Sequence, residues 1–360
     1  MKTLDYQIDT QLAPKADAPL QIADWVEPLG VEPTGPYVRL QNGEILCIQG
    51  EKNANHQAWL SADEGQTWQT YPIFDASQFA MHDDHALCVS KTGRVYLSFE
   101  NTKDYHFNWI KRRNAPSKNT RLDQYIVWSD DHGRTWQNPV LIQSGYAASI
   151  RSLLELDDGT LVVSAQNLDY QNARHYALSF VSTDRGETWQ ASNRIDMPGR
   201  GHHDGCYEGC ILPLKDGRLW YLVRTNMDWF WHVYSEDQGR TWTEFHKGLV
   251  ASSSPGMLTR LASGRILLIY NPLAPTLADS KPSKPKSGQF SEREASWYRG
   301  ELLACLSEDE GQSWTEPKVL ARMDGAWLSY PHVFEQQPGK IWLTTMQSRL
   351  KLSFSEADLL

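Results

Sequence analysis

Along most of the chain, apolar runs come in pairs separated by a short polar turn that contains glycine: VRLQNGEILCI, LCVSKTGRVYLSF, LLELDDGTLVVSA, ILPLKDGRLWYLV, LTRLASGRILLIY and HVFEQQPGKIWLT. The runs are rich in β-branched and aromatic residues, and Asn-Gly or Asp-Gly between such runs is a strong hairpin signal, so the pattern predicts six β-hairpins. Their turn glycines stand at 43, 93, 159, 217, 264 and 339. A second pattern, Ser-x-Asp-x-Gly-x-Thr/Ser-Trp, recurs from Ser61, Ser129, Ser182, Ser235 and Ser307. In it the Ser and Asp side chains can bond backbone N–H groups of a tight turn, Gly permits positive φ, and Trp supplies an apolar plug.

The two patterns alternate, so each repeat supplies an inner hairpin followed by an outer pair of strands. Six repeats of about four strands predict an all-β fold, a six-bladed β-propeller, with residues 1–360 as one domain. Helix-period patterns are nearly absent. Because the last repeat lacks a complete Asp turn, an N-terminal strand near Tyr6 to Ile8 is expected to complete the final blade. Insertions stretch two repeats, at about 101–121 and 272–296; both are rich in Pro, Lys and Ser and are expected as surface loops of the kind that form lids or binding loops.

Composition narrows the partners. A formal charge of −9 and a pI near 5.7 argue against nucleic acid, whose phosphates are bound mainly by clustered Lys and Arg. No apolar run reaches the length of a signal peptide or a membrane span, so a cytoplasmic location without a membrane partner is the expectation. Five cysteines without a CxxC pair suit buried thiols in a reducing compartment; no metal and no cofactor is expected. Fifteen Trp and fifteen Tyr imply an aromatic interior or groove.

With its five Asp turns interleaved among six hairpins, the sequence resembles the sialidase (neuraminidase) superfamily, whose six-bladed propellers carry such Asp boxes, over about residues 30–350. In bacterial-type members a Glu begins one inner strand and an Arg follows sixteen positions later, after a DGRL hairpin; Glu208 and Arg224 in YEGCILPLKDGRLWYLVRT match. A further family Arg stands eight positions before the Ser of a late Asp box, as Arg299 does before Ser307. The family's nucleophilic Tyr opens the last inner strand, and Tyr330 in LSYPHVF matches. The resemblance thus implies a Tyr330/Glu208 nucleophile and base, with Arg224 and Arg299 gripping a substrate carboxylate. That division suits an acidic sugar: guanidinium groups bind carboxylates in a bidentate manner, and a neutral phenol approaches an anionic substrate without the repulsion a carboxylate would meet.

Two positions depart from the family. Its first Arg belongs to an Arg-Ile-Pro motif, but EPTGPYVRL places Pro33 there; Arg39 lies in the hairpin, and Arg151 in SIRSLLEL is the candidate to contribute instead. The family's acid/base Asp lies before the first Asp box, where QGEKNANHQAWLS has none; Glu51 and His56 are present, and the cluster His82, Asp83, Asp84 and His85 in MHDDHALCV ranks first as the acid. His202, His203 and Asp204 precede Glu208 and are candidates to line the pocket. Adjacent histidines on an extended strand point to opposite faces, so one of them in the pocket is favoured over a shared ion. In DWFWHVYS, Trp229 and Trp231 share a side, suited to blade packing or to a sugar-stacking platform.

The function expected is retaining exo-hydrolysis of a terminal acidic sugar on a glycan or oligosaccharide. The alternatives are a uronate-directed lyase, using His and Tyr for proton abstraction, and a non-catalytic glycan-binding propeller. Oligomeric state stays open.

Overall fold

The protein is described from a computed structural model covering residues 1–4, 18–50, 56–276 and 290–360. Six antiparallel four-stranded arrangements follow one another along the chain. The first blade is Tyr37–Arg39, Ile45–Gln49, Gln57–Ser61 and Gln69–Pro72; the second is Ala86–Val89, Val95–His106, Arg121–Ser129 and Val140–Gln143. Leu153–Glu155, Leu161–Asp169, Arg174–Ser182 and Gln190–Ala191 form the third, and Cys206–Pro213, Leu219–Thr225, Trp229–Ser235 and Thr243–Val250 the fourth. The fifth contains Met257–Arg260, Ile266–Tyr270, Glu301–Ser307 and Lys318–Arg322, extended at its outer edge by Leu20–Ile22 and Lys2–Leu4. The sixth contains Pro331–Gln337, Lys340–Thr345 and Lys351–Ser355, and its outer strand is Glu27–Pro28 from the N-terminal region. Contacts run from each blade to the next and from the sixth back to the first, closing the ring. Tyr6 to Ile8 lie outside the described residues.

The strand period of two explains how the ring holds together. Along Ile266–Tyr270, Leu267 and Ile269 pack toward the sixth blade while Ile266, Leu268 and Tyr270 pack toward the fourth. The same alternation gives every blade interface its own buried apolar cluster among the described residues. The inner-hairpin glycines all adopt the positive φ their turns require, between 76° and 90°. Each Asp-containing turn repeats one bond set: the Ser hydroxyl donates to Asp Oδ1 at 2.8–2.9 Å, and the Gly N–H donates to the Ser oxygen at 2.8–2.9 Å. Because strands alternate in direction, these turns and the glycine turns lie at one end of the propeller. The opposite end collects the residues that enter each innermost strand.

One expectation changes. The insertion at 101–121 is built rather than loose: it extends a strand to His106, then forms a ladder between Trp109–Ile110 and Ala115–Pro116. Trp109 and Ala115 are buried with Tyr146 and Leu168 in a small apolar cluster of their own. Its Trp and Phe residues outweigh the polar run KRRNAPSKN, which the surface reading emphasised.

Candidate active site

Tyr330 lies immediately before the innermost strand of the sixth blade, and Glu208 within that of the fourth. Both hold left-handed backbone, φ 60° and 47°, a conformation that costs a non-glycine residue of order ~1–3 kcal/mol and concentrates at functional sites. At Glu208 the cause is local: strand pairing slips between Tyr207 and Cys210. Gly209 is required there, because a Cβ would fall 2.5 Å from the Tyr221 ring and 2.6 Å from the Leu222 carbonyl oxygen. The Glu208 N–H is held by Gln166 Oε1 at 2.9 Å.

This arrangement brings the Tyr330 hydroxyl within 2.8 and 3.0 Å of the two Glu208 carboxylate oxygens. Arg224 Nη1 donates both to Glu208 Oε2 and, at 3.2 Å, to the Tyr330 oxygen. Its Nε donates to Ser253 Oγ at 3.2 Å, and its face lies on Tyr207, 4.6 Å from the ring centre. Arg299 donates to Gln347 Oε1 at 2.7 Å and to the Ser253 carbonyl at 3.0 Å, with its guanidinium 5.0–5.5 Å from the rings of Trp297, Trp327 and Tyr330. Arg151 donates to the Pro331 carbonyl at 2.5 Å and stands 5.7 Å from the Tyr330 ring. Three guanidiniums therefore surround one phenol. Arg224 Nη2, Arg299 Nε, and Arg151 Nε and Nη1 are buried without a hydrogen-bond partner among the described residues. Buried donors left open in this way call for a ligand or water, and an anion suits them best.

Electrostatics divide the roles. Burial, reinforced by the Glu208 charge, pushes the Tyr330 phenol above its usual range against the pull of Arg224 and Arg299. Tyr330 is thus a neutral phenol at rest, already bonded to a carboxylate that can take its proton.

The cluster at 82–85 splits. Asp84 is buried 3.6 Å from Arg151 Nη1, and burial raises its carboxyl from 3.8 to about 6; Arg151 opposes the rise and the Glu208 charge adds to it. Asp83 instead meets His56 Nε2 at 3.1 Å and Arg349 Nη2 at 3.4 Å; burial raises its pKa, but these partners outweigh it and hold it low. His85 is buried and pushed down to about 3. His82 lies edge-on to Tyr105, 6.0 Å between ring centres. Only Asp84 of the four combines proximity to Arg151 with a pKa near neutrality.

A stability experiment follows from Asp84. A carboxyl whose folded pKa is raised keeps its full contribution below the unfolded value and loses it as pH climbs through the folded one. The move from 3.8 to about 6, at about 1.4 kcal/mol per pH unit, makes the wild type lose about 3 kcal/mol between pH 3.5 and 7 through this group. Asp84→Asn removes that term. Urea unfolding across the same range is expected to show the variant gaining on the wild type by about 3 kcal/mol; a constant difference at all pH values would refute the assignment.

The segment before Glu208 is arranged differently from expectation. Residues 201–204 form a turn, with the Asp204 N–H on the Gly201 carbonyl at 3.0 Å, so His202 and His203 do not take opposite faces; their rings lie 4.1 Å apart. His202 packs on Phe107 at 4.5 Å, and His203 meets Trp297 edge-on at 4.6 Å. Asp204 is fully buried and consumed by structure: it accepts from Ser291 Oγ, from Asn226 Nδ2 at 3.2 Å, and from the N–H groups of Arg200 and Glu292 at 2.9 and 3.2 Å. It is a clasp for the end of the second insertion rather than a pocket residue. Arg39 pairs with Glu64 through two 2.9 Å bonds at the Asp-turn end. Glu51 lies outside the described residues. No group of three or more His, Cys, Asp or Glu suited to a metal ion occurs among the described residues.

Sequence reasoning missed Ser253, Trp297, Trp327 and Gln347. Only Trp297 carried a signal, since it stands two positions before Arg299 in WYRG.

Residues 92–343 match a family described as BNR repeat-like domain. Among curated proteins, a sialidase of Paraclostridium sordellii is 30% identical over 206 residues, covering 51% of this chain and 48% of its own. The chain spans about half the length of the curated relatives it matches. Among solved structures, the Hadza microbial sialidase Hz136 superposes with a TM-score of 0.62 at 17% identity, over 90% of this chain and 65% of that one. A Trypanosoma rangeli sialidase in complex with 2,3-difluorosialic acid, as a covalent intermediate, gives 0.56 at 16% identity, over 93% of this chain and 57% of that one.

Proposed function

The chain belongs to the BNR repeat-like domain family and has the sialidase-type propeller, and from that premise we propose that it is a retaining exo-glycosidase that removes a terminal carboxylated sugar from a glycan. One observation carries the reading: the Tyr330 hydroxyl is bonded at once to both Glu208 oxygens and to Arg224, beside N–H groups of Arg224 and Arg299 that have no hydrogen-bond partner among the described residues.

The sugar carboxylate is held by the open donors of Arg224 and Arg299, with Arg151 taking the place of the family's first arginine. Tyr330 Oη attacks the anomeric carbon as its proton passes to Glu208, and the bond to the leaving oxygen breaks as Asp84 protonates that oxygen. The product of this step is a glycosyl-tyrosine. Water then attacks the anomeric carbon, giving its proton to the Asp84 carboxylate, while the phenolate leaves and recovers the proton from Glu208. Two displacements retain the anomeric configuration. Burial of the phenol keeps it neutral until substrate arrives, which limits repulsion between nucleophile and substrate carboxylate.

The test is to trap the intermediate. An acidic sugar fluoride with a second fluorine beside the anomeric carbon forms the covalent adduct but hydrolyses it slowly. Peptide mass spectrometry is expected to place one glycosyl group on Tyr330. Label on another residue would displace the nucleophile. An unsaturated, ultraviolet-absorbing uronate product would make the protein a lyase, and binding without product across a glycan panel would make it a recognition module.

A further inference from the structure

The chain as a whole would repel an acidic sugar. Its formal charge is −9, and a net negative protein slows the approach of an anion rather than drawing it in. The charge is unevenly placed, however. Asp63, Asp131, Asp184, Asp237 and Asp309 of the repeated turns stand at the end of the propeller away from Tyr330. The end that carries Tyr330 has the opposite bias on one side.

That bias is built into the first insertion. Beyond the ladder of Trp109–Ile110 with Ala115–Pro116, the chain makes one 3-10 turn, Lys111–Arg113, with all three residues exposed. Asn114 closes the turn in the left-handed region, φ 42°, with its N–H on the Lys111 carbonyl at 3.1 Å. Its side chain ties the tip down twice: Oδ1 accepts from Trp109 Nε1 at 3.0 Å, and Nδ2 donates to the Arg200 carbonyl at 3.1 Å. Arg200 in turn donates to the carbonyls of Arg113 at 3.2 Å and Gln171 at 3.4 Å, so a fourth cation joins the three. Buried Trp109 and Ala115 lie beneath the tip. The charges are thus carried on a fixed platform.

These four cations differ from most of the chain's arginines in having no carboxylate to answer them. Arg39 pairs with Glu64, Arg94 with Asp130, Arg121 with Asp123, Arg134 with Glu44 and Arg174 with Asp196. Among the described residues, none of Lys111, Arg112, Arg113 and Arg200 has a carboxylate at ion-pair distance. Two carboxylates are held beside Arg200: Asp204, already taken by the clasp, and the exposed Glu292, whose N–H lies 3.3 Å from the Arg200 carbonyl. Four cations against two carboxylates leave this surface positive, and like charges held together repel one another. The surface also adjoins the reacting groups. His202 packs on Phe107 and Trp109 at 4.5 and 5.4 Å, and His203 on Trp297 at 4.6 Å. The Trp297 ring in turn lies 5.6 and 5.2 Å from the guanidiniums of Arg224 and Arg299. Positive charge therefore runs from an exposed rim to the buried donors, an arrangement that raises the local concentration of an anion and its rate of capture.

We propose that Lys111, Arg112, Arg113 and Arg200 form an electrostatic guide that speeds the arrival of an anionic glycan at Tyr330 without touching it once bound. The proposal rests on the acidic-sugar reading of the Tyr330 site. Its test follows the association of 2-deoxy-2,3-dehydro-N-acetylneuraminic acid, an acidic sugar without a leaving group, by stopped-flow tryptophan fluorescence; Trp297 and Trp327 beside Arg299 are the reporters. Because the screening length falls from about 30 Å at 0.01 M salt to about 8 Å at 0.15 M, the association rate constant of the native chain is expected to fall threefold or more between them. The triple variant Lys111→Gln, Arg112→Gln, Arg113→Gln should associate at least threefold more slowly at 0.01 M salt, lose most of the salt dependence, and dissociate within twofold of the native rate. All three positions are exposed, and Arg112→Glu alone gives a second variant that should slow association in the same direction. An unchanged association rate would leave the four cations as a solvated surface, and an effect confined to dissociation would make them a contact site; either result overturns the guide. Binding of the sugar with no salt effect overturns the guide alone, whereas a native chain that does not bind it overturns the acidic-sugar reading as well.

Discussion

Tyr330→Phe is expected to reduce turnover of an acidic glycoside by at least about 10³-fold while changing its binding by less than about threefold, because it removes the attacking oxygen and leaves the guanidinium donors in place. Glu208→Ala removes the base that receives the phenolic proton and should cost about 10²–10⁴-fold. The combined variant tells more than either. Two groups joined by 2.8 and 3.0 Å bonds act as one unit, so the double substitution should be scarcely worse than Tyr330→Phe alone. Losses that multiply would mean that the two side chains act independently, and turnover that survives both would end the proposed mechanism. Isothermal titration with a non-hydrolysable acidic sugar separates binding from chemistry in each protein.

Backbone geometry explains why these two residues cannot easily be exchanged for a pair elsewhere. Both occupy the left-handed region that an ordinary strand avoids, and both are held there by surroundings on other blades. Glu208 is fixed by Gln166 of the third blade, while Arg151 of the same blade grips the carbonyl of Pro331, next to Tyr330. The site is thus preorganised by the closure of the ring.

The blades were legible because their signals are local. A glycine turn between apolar runs, or a Ser and an Asp two residues apart, bonds within its own few residues, and the turns at Ser61, Ser129, Ser182, Ser235 and Ser307 repeat one geometry. Tyr330, Glu208, Arg224 and Arg299 were legible through the family's spacing, and the structure brings all four together. The supporting residues were not. Ser253 lies in a run of serines, Gln347 in a turn, and each acquires its meaning from an arginine 29 or 48 residues away. The outer strand of the sixth blade, Glu27–Pro28, is two exposed residues with no apolar alternation to betray it. His202 and His203 read as strand because the apolar run after them is one, and the turn that precedes it left no mark in a pattern of hydrophobic positions.

Arg224→Ala should be the most damaging single change to stability in the site. Arg224 is 2% exposed and paired with Glu208. Removing it leaves that carboxylate in a region that already contains the buried Asp84 and Glu100, whose ionised forms burial disfavours. Breaking a buried pair from one side costs about 3–5 kcal/mol. The deficit should be smaller at pH 5 than at pH 7, because burial holds the Asp84 carboxyl up at about 6 and its protonation relieves part of the uncompensated negative charge. Urea unfolding at both pH values reads it directly. Arg224→Lys separates the two duties of the residue: an ammonium restores much of the charge balance, but it has no planar fork to bond Glu208, Tyr330, Ser253 and a substrate carboxylate together. Stability should therefore recover further than kcat/KM. A lysine variant that restored both equally would show that Arg224 acts only as a point charge, and the carboxylate-gripping role would fall with it.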